Sequence, residues 1–148
     1  MRTGVRGSGF GAKAVCESRT ANPKNRELKL VKNYKELEVW QKSKNFAVTV
    51  YRATEAFPRA ELFGLSAQIR RAATSVPANI AEGWGRGSTR EYIQFLLIAR
   101  GSLMELETHL IIADELHYFK PGNVAAFLEE IKGIGQMLNR LIQALRDR

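Results

Sequence analysis

Seven residues between Tyr92 and Ala113 fix most of what this chain can become. Tyr92, Leu96, Ala99, Leu103, Leu106, Leu110 and Ala113 alternate in steps of four and three. That spacing puts all seven on one side of an α-helix but scatters them over both faces of a strand, so it predicts an amphipathic helix. Phe95, Ile98, Ile111 and Ile112 broaden the stripe beyond a simple two-stranded seam. A helix over residues 88–117 is about 45 Å long. One such rod cannot bury its own apolar side, so it needs partner helices.

Three further segments supply them. The first, about residues 34–56, places Leu37, Trp40, Lys44, Ala47, Tyr51 and Thr54 on one face, with Val48 and Val50 widening it. Phe57-Pro58 ends it, because a residue before proline is pushed out of the α region, and Phe57 is expected to fold back onto the bundle end. The second begins near residues 60–62, and its apolar face is Leu65, Ile69, Ala72, Ala73, Val76 and Ile80. The last, about residues 123–146, follows a turn at Phe119–Asn123. It offers Val124, Phe127, Leu128, Ile131, Ile134, Leu138, Leu141, Ile142 and Leu145. Gly133 and Gly135 each cost this helix about 1 kcal/mol relative to alanine, which suggests a close crossing. Four amphipathic helices with short connections predict an all-α fold, an antiparallel up-and-down four-helix bundle.

The second helix contains Pro77, which removes a backbone donor and crowds the carbonyl of Ala73. A kink near residues 73–76 is expected, or a break with Pro77 opening a new helix. Gly83-Trp84-Gly85-Arg86-Gly87 reads as a corner whose alternating glycines permit positive φ. Ser88-Thr89-Arg90-Glu91 then matches a capping box, with Ser88 at the N-cap.

Two groups of polar residues near this corner are candidates for function. Gln68, Arg71, Ser75, Asn79 and Glu82 advance by three, four, four and three, so they share a face that could meet solvent, another subunit or the bundle interior. Short side chains at Ala72, Ala73, Ser75 and Ala78 favour close helix approach. Arg70, Arg71, Arg86 and Arg90 flank the corner with Trp84. Arginine forks suit phosphates and a tryptophan can stack on a base, which points to RNA or DNA. The competing structural reading pairs Arg70 and Arg71 with Glu82, Glu105 or Glu107 and packs Trp84 on a bundle end or a subunit partner.

Charge is unevenly placed. Residues 1–35 hold nine Lys/Arg and two Glu, whereas residues 36–148 hold 14 Lys/Arg and 13 Asp/Glu. The formal net charge of +8 therefore sits mostly in a basic arm. Residues 1–33 are expected to be flexible, since no apolar period recurs there, and residues 34–148 form the bundle domain. The arm could seek phosphates or merely solubilise the chain.

Catalytic signals are weak. Cys16 is the single cysteine, which leaves no internal disulfide and no cysteine-based zinc cluster. Asp114 and His117 have a carboxylate–histidine spacing, but a di-iron bundle needs two such motifs and two further glutamates. Ser88 is better explained as a cap than as a nucleophile. The glycine corner lacks the Lys-Ser/Thr ending and preceding strand of a phosphate loop. No catalytic residue, metal, cofactor or small-molecule substrate is assigned. Apolar runs reach five residues, as at Phe95–Ala99, where a membrane helix needs about 20. The N-terminus carries no apolar leader core, so a cytoplasmic protein is expected.

The stretch Ser66–Arg86, SAQIRRAATSVPANIAEGWGR, resembles the bacterial 23S rRNA intervening-sequence proteins, or S23 proteins. The matching residues are Leu65, Gln68, Ile69, Arg70, Arg71, Ala72, Ser75, Pro77, Asn79, Ile80, Ala81, Glu82, Gly83, Gly85 and Arg86. Ile98–Leu110 resembles a second signature, and similarity spans about residues 37–145. The resemblance implies a four-helix bundle that assembles as a ring-like homopentamer. It also extends to accessory proteins of diversity-generating retroelements, which are basic and bind nucleic acid. This chain departs from those in its nearly neutral bundle. The expected function is therefore a non-enzymatic homo-oligomeric scaffold or adaptor. The alternative is an RNA- or DNA-binding protein that uses the arm and the corner arginines.

Overall fold

Four helices carry the fold: α1, Glu38–Thr54; α2, Leu65–Gly85; α3, Thr89–Glu115; and α4, Asn123–Arg146. The structure, a computed structural model, describes residues 31–148 and the backbone of two preceding dipeptides. Those dipeptides, β1 (Cys16–Glu17) and β2 (Leu28–Lys29), pair antiparallel with Cys16 opposite Lys29 and Glu17 opposite Leu28. Two residues per strand are too few for an alternating pattern to show in sequence. The rest of the expected arm lies outside the described residues. Val31, two residues inside the expected arm, is buried and joins the core.

All seven stripe positions of α3 are buried, as their spacing demands. They share one core with Ile69, Ala72, Ala73, Val76 and Ile80 of α2 and with Ile131, Ile134, Leu138, Leu141, Ile142 and Leu145 of α4. Contacts run in opposite order along neighbouring helices. Ser75 meets Ser102 and Gly83 meets Tyr92 across α2 and α3. Arg100 meets Asn139 and Leu103 meets Gly135 across α3 and α4. These two hairpins are antiparallel.

On α1 the buried face is Val39, Ser43, Phe46, Ala47, Val50 and Thr54. The expected stripe is thus rotated: Lys44, Val48 and Tyr51 are exposed. Apolar residues lie on several sides of this helix, so period alone does not select one. Phe57 does fold back, stacking edge-on against Phe119 at 5.0 Å.

α2 runs through Pro77 as one element, so the break considered from sequence does not occur. The helix also continues through Gly85, and the expected glycine corner shrinks to residues 86–88. Only Gly87 there has positive φ, at 88°. Gly83 serves a different purpose: a Cβ on it would lie 2.7 Å from the Cβ of Phe95, so its bareness lets α2 and α3 close. Gly133 has nothing within 4 Å, and Gly135 meets only Leu103 at an ordinary 3.6 Å, so neither is needed for a close crossing.

The helix ends follow local chemistry. The Ser88 hydroxyl accepts from the Glu91 N–H at 3.2 Å and donates to the Glu91 carboxylate at 2.9 Å. His117, at φ 61°, ends α3, with the Tyr118 N–H donating to Ala113 and the His117 N–H to Asp114. This is a Schellman turn with histidine where glycine is usual. Gly64 gives α2 no side-chain cap; Glu61 substitutes, accepting from the Leu65 N–H at 2.9 Å. The other Glu61 oxygen accepts from the Tyr118 hydroxyl at 3.0 Å. That hydrogen bond, with desolvation and the Glu61 charge adding to it, raises the Tyr118 pKa above its ordinary value.

Candidate interaction face

The polar line of α2 meets a second stripe on α3. Ile98, Ser102, Glu105, His109, Ile112 and Leu116 alternate in steps of four and three, displaced from the core stripe. The two lines join where Ser75 Oγ lies 3.0 Å from Ser102 Oγ. Asn79 Nδ2 donates to Ser75 Oγ at 2.9 Å and to the Ser75 carbonyl at 2.8 Å. The middle of the line is therefore half-buried and occupied with itself, while Gln68, Arg71 and Glu82 are exposed. His109 lies 3.4 Å from Glu105 on the α3 side.

Along this side of α3, three large apolar side chains stand in the open. Ile98 and Leu116 are each 50% exposed and Ile112 is 41% exposed. Read from sequence, Ile98 and Ile112 belong to the widened core stripe. Their own four-three register with Ser102, Glu105 and His109 is the signal that they form a separate row. Exposed apolar groups thus share this side of the molecule with both signs of charge and with satisfied polar groups.

The arginines do not converge. Arg70 turns toward α1, where its Nε donates to Thr54 Oγ1 at 2.8 Å and its guanidinium lies 4.6 Å from the Tyr51 ring centroid. Arg71 is exposed, and no ion pair joins it to a described residue. Arg86 sits 3.8 Å from Glu82 and stacks 5.0 Å from Phe95. Arg90 is exposed on the first turn of α3. Trp84 is buried, edge-on to Tyr92 at 6.2 Å, so its ring belongs to the core and not to a stacking platform.

Asp114 and His117 do not share a helix face, because the left-handed turn carries His117 off the end of α3. Among the described residues no three His, Cys, Asp or Glu side chains gather as a metal site. Among them, too, no helix is long and apolar enough to cross a membrane.

A family model described as 23S rRNA-intervening sequence protein matches residues 35–140. Among solved structures, the chain is similar to a protein of unknown function from the S23 ribosomal protein family of Bacteroides thetaiotaomicron. The two are 27% identical, the match covers 71% of this chain and 95% of that one, and the TM-score is 0.65. Comparison with curated proteins gave no match. The matched region contains α1, α2, α3 and most of α4, and the chain belongs to the 23S rRNA-intervening sequence protein family.

Proposed function

We propose that this protein is a non-enzymatic, homo-oligomeric scaffold or adaptor of the cytoplasm whose copies meet through the face shared by α2 and α3. The observation that carries the reading is the exposed row Ile98, Ile112 and Leu116 alongside the Ser75–Ser102 seam. Arg71 and Glu82 on one helix, with Glu105 on the other, give the face both signs of charge, and in a ring of copies it meets a different face of the next chain. The family resemblance favours five copies. Size-exclusion chromatography with light scattering tests this directly. The expected mass is a multiple of the 16.6 kDa chain. A 16.6 kDa species alone at micromolar concentration overturns the reading.

A further inference from the structure

We infer that the outer side of α1, where it borders α2, is a binding strip for single-stranded nucleic acid. Trp40, Lys44 and Tyr51 follow one another by four and seven residues along this side, and Arg70 reaches across from α2 to join them. The Lys44 ammonium lies 5.8 Å from the Trp40 ring centroid, and Arg70 lies 4.6 Å from that of Tyr51. Tyr34 abuts Trp40 edge-on at 5.3 Å. Aromatic rings and cations thus alternate over about 16 Å of helix.

The chemistry selects the occupant. Tyr51 is 44% exposed although the sequence pattern would allow it inside, and Trp40 is only partly covered. Bases stack on such rings and on guanidinium planes, whereas a duplex keeps its base faces hidden. Arg70 commits Nε to Thr54, and no carboxylate among the described residues pairs with its terminal nitrogens, which leaves a fork for a phosphate. Glu55, one turn beyond Tyr51, closes the strip with negative charge and sets its far end. The strip lies on a different side of α2 from the Ser75–Ser102 seam.

The test uses intrinsic fluorescence, since Trp40 and the buried Trp84 are the two tryptophans. The full chain is titrated at low salt with oligo-dT and oligo-U of about twelve nucleotides, a length within known single-strand site sizes, and with a duplex of equal length. Saturable quenching by one or both single strands is expected, weakening steeply with salt. The tighter of the two identifies DNA or RNA as the preferred source. The quench should vanish in Trp40→Phe, and affinity should fall about tenfold in Tyr51→Ala and in Lys44→Glu. No quenching at low salt overturns the proposal. So does quenching that survives Trp40→Phe, equal response to duplex, or unchanged affinity in both other variants, which would move binding to another surface. Light scattering on the same samples reports assembly separately, so failure here leaves the scaffold reading intact.

Discussion

Gly83 and Phe95 approach so closely that α2 and α3 have no room for a methyl group between them: a Cβ at Gly83 would stand 2.7 Å from the Phe95 Cβ. Because Phe95 Cβ is fixed to the backbone, relief requires the helices to separate. Gly83→Ala is expected to lose about 1–3 kcal/mol to overpacking, partly offset by about 1 kcal/mol of helix propensity. Gly133→Ala, which meets nothing within 4 Å, should gain about 1 kcal/mol. Urea denaturation of both variants checks the opposite signs.

Ser88→Ala removes the acceptor for the Glu91 N–H. A loss of about 1 kcal/mol is expected, with Ser88→Thr or Ser88→Asp retaining most of the capping energy. Thermal denaturation of the three variants measures the difference.

His117 holds φ 61°, a conformation that favours glycine. His117→Gly should stabilise the chain by about 1 kcal/mol, since the Schellman bonds are made by backbone and survive the change. A lower denaturation midpoint in His117→Gly would show that the imidazole contributes more than its backbone strain costs.

The Tyr118 pKa is raised above its ordinary 10.0 in the folded chain. A raised folded pKa means that the stability from the Glu61 bond is complete below the unfolded value and is lost as pH rises through the folded one. The stability difference between wild type and Tyr118→Phe should therefore be constant near neutrality and shrink once the alkaline limb passes the ordinary tyrosine range. Urea midpoints measured across that limb decide it.

Ile112→Glu places a carboxylate on the exposed row of α3 without touching the core. The monomer fold should be unchanged by circular dichroism, while light scattering should shift the assembly toward single chains, because an unpaired charge is costly to bury in a contact. An assembly unaffected by this substitution would place the contact elsewhere.

Where one pattern has one solution, sequence and structure agree. The α3 stripe is tied to a single helix side by seven positions, and all seven are buried. On α1 they part, because Val39 and Phe46 compete with Trp40 and Tyr51, and only the neighbouring helices decide which pair goes inside. The glycine corner misleads for a related reason. Helix penalties at Gly83 and Gly85 suggest a stop, but burial of Trp84 and the close approach at Gly83 carry the helix onward. The candidate face is half legible. The polar line from Gln68 to Glu82 is visible as a period, whereas its partner row depends on which side of α3 meets Ser75. The grouping of Arg70 with Tyr51 is not legible, because the two lie on different helices.

Glu61 accepts from residues on two separate chain crossings, Leu65 at the entry to α2 and Tyr118 beyond α3. A single carboxylate thus fastens both crossings at the same end of the molecule. Breathing motions there are coupled: amide hydrogens around residues 62–66 and 116–119 should exchange with deuterium together, and losing that one side chain should loosen both at once.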